Sequence, residues 1–490
     1  MTEKTEDMLN DDQLSCAAWL ESVKAGILWA DVGTGKTVST LTALLRKLLG
    51  FDAHKILVIG PRLVAERVWS AEVADWAHLR GLRVQRIVGT EKQRLAALGR
   101  DADIYTLTRD NVKWLEELFI RIVGTKPDGQ PIRAQYRRWP FDTIVLDESQ
   151  SFMSGESQRF KSMRRIRLLP GVCNIYLLSG SLMPNGYRCL WSQLFLVDGG
   201  ARLGTSEDAY MRRYFTREVN DGVVTYELRE GCAAQIDRKI ADVVKVMRDM
   251  QQAVPHNHIR VRLDKQELKL YREMKRKNVL TFGDKQINAV NSGVLWGKLL
   301  QLANGAVYDG ERVVHHLHDR KIEALLELLE SLQGKVLIGY GFVHDIDRVL
   351  AALKKAGIQG VGVIRTNASL EAWKRDEIRV GVIHPASAGH GLNDLKDASH
   401  IVWFGLTPNF EYFQQLNGRV IGGHRRGDRQ IGIHILVAED TVDEDAVNML
   451  QIKDGTQVTA QIRVAQSWIK GGPHEGNINS RTAEDADRAA

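Results

Sequence analysis

The stretch Ala30-Asp31-Val32-Gly33-Thr34-Gly35-Lys36-Thr37 decides how this chain is read. Apolar Gly26-Ile27-Leu28-Trp29 precedes it, and an amphipathic run from Val38 to Leu49 comes after it. That pattern predicts a strand, a tight glycine turn and a helix, in that order. Glycines at 33 and 35 let backbone N–H groups curl toward a phosphate, and a helix N-terminus presents its positive end. Lys36 would then reach the β- and γ-phosphates of ATP, and the Thr37 hydroxyl would hold Mg2+. Gly33, Thr34, Gly35, Lys36 and Thr37 therefore form the candidate nucleotide-binding set. The first position is Ala30 where the strict pattern has glycine, so a plain glycine turn before a helix is the bland competitor.

Working outward, hydrolysis of a nucleotide needs one carboxylate for the metal and another near the attacking water. Phe141-Asp142-Thr143-Ile144-Val145-Leu146-Asp147-Glu148-Ser149-Gln150 supplies both at the end of an apolar run. Asp147 is expected to bind Mg2+ through water, and Glu148 to orient or deprotonate the nucleophile. Alone, such a pair is commonly a solvated strand end. The loop upstream gives it a catalytic reading.

The rest of the chain alternates in the same way. Apolar runs at 56–59, 144–146, 175–178, 336–338, 380–383 and 401–403 read as buried strands, with helical patterns such as Thr40 to Leu49 and Ile322 to Leu332 between them. Buried strands alternating with helices predict an α/β fold with parallel sheets. The runs fall into two groups. The expected division is a first lobe over 1–215, a helical linker over 216–316, a second lobe over 317–470 and a disordered tail over 471–490.

Composition narrows the class. With 490 residues and 44% hydrophobic content the chain exceeds one core. A net charge of +6 and a pI near 9.0 mildly favour a polyanionic partner. Cys16, Cys173, Cys189 and Cys232 form no CxxC pair, so a zinc site or disulfide framework is not expected. His256 and His258 have no Cys or carboxylate at ligand spacing and do not read as a metal site, and His315, His316 and His318 read as solvent-facing rather than metal-binding. Met1 to Asp12 is polar and acidic, unlike a signal peptide. No apolar run approaches the ~18 residues of a membrane span. A cytoplasmic setting, in a bacterial or phage-infected host cell, and no membrane partner are expected.

Taken in order, the segments resemble those of superfamily-two helicases, and within them the Swi/Snf-like group with its compact phage-type members. The likeness runs from about Leu9 to Val447. Leu9 to Leu20, with Gln13 and Trp19, resembles the glutamine motif, which implies that Gln13 reads the adenine edge. Val58 to Val64 and Ile104 to Arg109 resemble two segments that touch the nucleic-acid backbone, which makes Pro61, Arg62, Thr106 and Thr108 expected contacts. Gln150 stands where the family usually has His. Leu178 to Asn185 resembles motif III, with Ser179 and Ser181 in place of threonines, and adds Ser181 and Asn185 to the contacts. Ser387-Ala388-Gly389-His390-Gly391-Leu392-Asn393 resembles motif V. It implies Ser387, Gly389 and Asn393 along the track and Gly391 at the nucleotide. Gln415-Leu416-Asn417-Gly418-Arg419 begins motif VI, whose arginines cross to the γ-phosphate. Arg419 takes the first such role. Arg425 takes the second, six residues on instead of the usual three, with Ile421-Gly422-Gly423 inserted and Arg426 competing.

The resemblance implies two tandem RecA-like parallel-sheet lobes with ATP and Mg2+ in the cleft between them. It implies an ATP-dependent DNA helicase or translocase, with DNA favoured over RNA and a protein partner from replication, recombination or repair. A double-strand translocase without strand separation, an ATP-gated clamp with little hydrolysis and a phosphate-loop signalling protein are the competing readings. Two basic runs, Arg133 to Trp139 and Lys161 to Arg167, suit secondary contacts to a single strand.

Overall fold

The computed structural model describes residues 4–31, 33–62, 64–220, 223–247, 256–277, 279–282, 285–288, 292–388, 393–407, 409–421 and 431–452. The first half supplies β1 (Ala25–Ala30), β2 (Ile56–Gly60), β3 (Val84–Ile87) and β4 (Ile104–Thr108). A hairpin, β5 (Ile120–Thr125) with β6 (Pro131–Gln135), precedes β7 (Thr143–Asp147) and β8 (Asn174–Ser179). A second hairpin, β9 (Phe215–Asn220) with β10 (Val223–Leu228), leads to β11 (Val244–Met247). Seven of these strands form one sheet in the order β11-β1-β8-β7-β2-β4-β3. Its pairings are parallel.

The second half begins with β12 (His256–Val261), followed by the hairpins β13 (Val279–Phe282) with β14 (Lys285–Asn288) and β15 (Ala306–Tyr308) with β16 (Val314–His316). Then come β17 (Lys335–Gly339), β18 (Val361–Val363), β19 (Val380–Ile383), β20 (Ala398–Trp403) and β21 (Gly432–Ala438). A six-stranded sheet runs β12-β21-β20-β17-β19-β18, again with parallel pairings. The expected α/β class with two parallel-sheet lobes is what the chain forms.

Strand period explains why the apolar runs are continuous. Ile27, Trp29, Leu57, Ile59, Ile144, Leu146, Ile175 and Leu177 share one core. Their neighbours Leu28, Ala30, Ile56, Val58, Val145, Tyr176 and Leu178 share another. Successive side chains point to opposite faces, so a sheet covered by helices on both faces needs apolar residues at every position. The second sheet repeats this, with Leu337, Ile401 and Trp403 in one core and Val336, Ile338 and Val402 in the other.

The span 216–316, read from sequence as a helical linker, contributes an edge strand to each sheet. β11 lies beside β1, and β12 lies beside β21. The tail 471–490 lies outside the described residues. None of the four cysteines is in a disulfide, and Cys173 is exposed. Among the described residues no helix is long and apolar enough to cross a membrane.

A buried polar network locks the second lobe. Lys321 Nζ and Asp443 Oδ2 lie 2.5 Å apart, with both side chains fully shielded from water. The same ammonium donates to Asn304 Oδ1 at 2.8 Å, and Asn304 Nδ2 donates to Asp345 Oδ2 at 2.9 Å. Asp345 Oδ2 also accepts from the Phe342 N–H at 2.9 Å, and Asp443 Oδ2 from the Ala438 N–H at 3.0 Å. Ions this deep persist only when paired and hydrogen-bonded. His318, read as solvent-facing, is instead 4% exposed beside this network, where its Nε2 meets the Leu302 carbonyl at 3.1 Å. Burial pulls its pKa from 6.5 to about 4.

Asp443→Ala should destabilise the second lobe in urea unfolding by roughly 3–5 kcal/mol, because Lys321 is left buried and unpaired, and Lys321→Met/Asp443→Leu should recover most of the loss. His318 binds its proton more weakly folded than unfolded. Its contribution to stability is complete above about pH 6.5 and is lost as pH falls through about 4. His318→Gln should therefore flatten the acid limb of the unfolding curve over that window.

Candidate functional site

Parallel strands bring the sequence-distant groups to one sheet edge. β1, β8 and β7 are adjacent, so the segments that leave them lie side by side at their C-terminal ends. After β1, Gly33 and Gly35 adopt φ of 82° and 90°, the left-handed region, and the helix Lys36–Leu49 begins. The left-handed φ at Gly35 favours glycine there, and the Gln13 amide packs against it, 2.2 Å from where a Cβ would stand. Among the described residues the backbone N–H groups of Lys36 and Thr37 have no backbone acceptor. Open amides at a helix start beside an ammonium and a hydroxyl fit a polyphosphate.

β7 delivers the carboxylates. Lys36 Nζ lies 2.8 Å from Glu148 Oε1 and 3.9 Å from Asp147 Oδ1. Asp147 Oδ2 accepts from Trp69 Nε1 at 3.0 Å, and its Oδ1 accepts from the Glu148 N–H at 3.0 Å. Glu148 sits at φ 53°, an uncommon conformation for a residue with a side chain. Burial would lower the Lys36 ammonium, but Glu148 and Asp147 hold it above the usual lysine value. Burial pushes Asp147 up; at Glu148 burial does the same, but Lys36, Gln150 and Arg419 together offset it and keep that carboxyl down. Asp147 with Thr37 suits Mg2+, which keeps most of its waters and needs few protein ligands.

Gln150 ties this centre to the second lobe. Its Oε1 accepts from Ser179 Oγ at 2.8 Å, and its Nε2 donates to Glu148 Oε2 at 2.7 Å and to Glu411 Oε1 at 3.0 Å. Glu411 lies on the second-lobe helix Phe410–Ile421 and also accepts from Gln415 Nε2 at 3.0 Å. Burial raises the Glu411 carboxyl, Gln150 partly offsets this, and Glu148 adds repulsion. Arg419, on the same helix, is buried enough to lower its guanidinium, against the attraction of Glu148 and Asp147. The two lobes thus face each other through Arg419 and Glu411 on one side and Asp147, Glu148 and Gln150 on the other.

The chain is similar to known proteins. A family profile described as SNF2-related domain matches residues 12–304. Protein p41 of Acyrthosiphon pisum secondary endosymbiont phage 1 is 34% identical over 446 residues, covering 87% of this chain and 92% of that one. The chain belongs to the SNF2-related family. Membership places it among nucleic-acid-dependent ATPases of the superfamily-two helicase type. Of solved structures, the Sulfolobus solfataricus SWI2/SNF2 ATPase core in complex with dsDNA is 15% identical with a TM-score of 0.42, covering 93% of this chain and 94% of that one. The Sulfolobus solfataricus SWI2/SNF2 ATPase core domain is 16% identical with a TM-score of 0.39, covering 91% and 88%. At those values neither bears on the role of any residue here.

Within the SNF2-related framework the expected residues separate into groups. Lys36, Asp147, Glu148 and Arg419 converge, and Thr37 follows Lys36 in the first turn of its helix. Gln13 reaches the loop, but both ends of its amide are engaged. Nε2 donates to the Thr34 carbonyl at 3.0 Å, and Oε1 accepts from the Asn10 N–H at 3.0 Å in a capping box. Reading an adenine edge would require exchanging one of these bonds. Four expected backbone contacts are withdrawn from solvent. Pro61 is buried, Thr106 is fully buried and donates to the Ala65 carbonyl at 2.6 Å, and Ser181 is buried against Ser179. Thr108 is buried too and accepts from Asn111 Nδ2 at 2.6 Å. Arg62 and Asn185 are exposed, and Ser387 is partly so. Arg62 pairs with Glu66 at 2.8 Å. Gly389, Gly391, Arg425 and Arg426 lie outside the described residues, as does the side chain of Asn393. Glu411 escaped the sequence reading, although it stands one helical turn before Gln415 on the same face, a spacing that could have flagged it.

Gln150 and Glu411 should act as a unit. Gln150→Ala and Glu411→Ala should each slow nucleic-acid-stimulated ATP turnover, and the double variant should fall short of their combined loss by about 0.5–3 kcal/mol. Strict additivity in that cycle would separate the two residues.

Proposed function

We propose that this SNF2-related chain couples Mg-ATP hydrolysis to movement along, or remodelling of, DNA. The observation that carries the reading is the meeting of Lys36, Asp147 and Glu148 from the first lobe with Arg419 from the second. The loop amides and Lys36 bind the polyphosphate. Thr37 and Asp147 hold Mg2+, which neutralises charge on the transferred group when bound. To reach phosphate, Lys36 leaves Glu148. Losing that cation raises the proton affinity of Glu148, which suits a base for the attacking water. Arg419 stabilises the charge that develops in the transition state and does so only with the lobes together. Gln150 reports the state of Glu148 to Glu411 and, through Ser179, to the segment carrying Asn185.

The functional division proposed for the chain departs from the boundaries 1–215 and 317–470: the first lobe extends to β11 and the second opens on β12, so the span 216–316 is shared between the lobes. Arg62, Asn185 and Ser387 are the exposed candidates for the track. DNA as the track is taken from the family and from the chain's positive charge. Contact with a phosphate backbone gives little sequence preference and a steep salt dependence.

Lys36→Ala and Glu148→Gln should each lower stimulated turnover by at least about 100-fold. Glu148→Gln should retain binding of a fluorescent ATP analogue, and full turnover by this variant would remove the role assigned to Glu148. Rates measured with single-stranded, duplex and forked DNA and with RNA should be highest on DNA. Strand release from the fork distinguishes a helicase from a duplex translocase, and equal stimulation by RNA overturns the DNA assignment.

A further inference from the structure

Much of the chain's net positive charge falls in one short segment. Residues 120–138 carry Arg121, Lys126, Arg133, Arg137 and Arg138 against a single carboxylate, Asp128, a net +4 within a chain whose total is +6. These residues form the β5–β6 hairpin and the short stretch beyond its second strand. All five cations are exposed, and none has a carboxylate partner among the described residues. Elsewhere in the first lobe many cations are committed. Arg46, Arg83, Arg159 and Arg202 are ion-paired. The other basic run, read from sequence as a contact surface, is also engaged internally. Lys161 pairs with Glu156, Arg165 with Glu116, Arg164 covers the Phe195 ring, and Arg167 donates to the carbonyls of Leu196 and Val197.

The hairpin also carries stacking groups. The Arg121 guanidinium lies 3.9 Å from the centre of the Tyr136 ring, and that of Arg137 lies 5.3 Å from it. Ile122 and Val123 are each 62% exposed, and Ile132 is 42% exposed. Planar guanidiniums, an aromatic ring and bare aliphatic side chains among unpaired cations match bases and sugars between phosphates. A duplex, whose bases are already stacked, would use only the charges.

Its position sets the hairpin apart from the cleft. β6 ends at Gln135, shortly before Asp142, whose backbone bonds Lys55 and Cys173 at the N-terminal ends of β2 and β8. The base of the hairpin is therefore at the opposite edge of the sheet from Lys36, a strand length of roughly 20 Å away. We propose that the β5–β6 hairpin is a second binding site, for a single nucleic-acid strand lying outside the cleft. This goes beyond the ATPase reading and does not depend on it.

The test uses the full chain without nucleotide and a fluorescent oligothymidine of about 20 nucleotides, with oligouridine and a matching duplex as further arms. Arg133→Gln/Arg137→Gln/Arg138→Gln should weaken strand binding roughly tenfold and flatten its salt slope by about 2 between about 50 and 200 mM salt, since each phosphate contact on a single strand contributes about 0.7. Loss on either strand type supports the proposal and identifies the sugar. In the unsubstituted protein, 4-thiothymidine in the probe should crosslink to the peptide holding Tyr136, a readout independent of any variant's folding. Unchanged affinity and slope, or crosslinks confined to other peptides, overturn the proposal. So does a loss seen for duplex alone, or a change of oligomeric state in light scattering with strand binding intact.

Discussion

Parallel strands covered on both faces can offer reactive side chains only at their ends, and this constraint organises the whole molecule. The interiors of β1, β2, β7 and β8 are committed to two cores. Chemistry is pushed to the segment leaving each strand: the glycine turn and Lys36 after β1, Asp147 and Glu148 at the end of β7, and Ser179 at the end of β8. Because β8 lies between β1 and β7, these groups become neighbours although 143 positions separate Lys36 from Ser179. The second sheet obeys the same rule and sends the helix Phe410–Ile421 toward the first lobe's edge.

Charge is what the two edges exchange. Lys36 and Arg419 sit among Asp147, Glu148 and Glu411, so the cleft nearly neutralises itself. A polyphosphate entering there would compete with Glu148 for Lys36 and add negative charge, which Mg2+ and the second-lobe Arg419 would offset together. On the proposed function, binding and lobe approach would be linked by electrostatics before any bond is broken. Gln150 suits this arrangement, because an amide donates to two carboxylates at once without changing its own charge as they titrate.

Much of this is legible from residues alone, for physical reasons. Central strands are uninterrupted apolar runs, and the glycine turn with Lys36 and the Asp147-Glu148 pair are local patterns. Edge strands are different. β3 reads Val-Gln-Arg-Ile and β12 reads His-Asn-His-Ile-Arg-Val, because one flank meets solvent and polar residues are tolerated. Thr106 departs from its expected place on the surface because a hydroxyl in a strand can satisfy itself on a nearby carbonyl, here that of Ala65. His318 departs likewise because its burial is imposed by helices distant in sequence. Glu411 meets Gln150 across 261 positions, and no local pattern encodes such a pairing.

The backbone at Glu148 has a wider implication. A left-handed residue with a side chain gives up about 1–2 kcal/mol that glycine would not. Selection for folding alone would drift position 148 toward glycine or asparagine. On the role proposed for Glu148 this cost is borne for reactivity, and libraries screened only for thermal tolerance would be drawn toward inert proteins at this position.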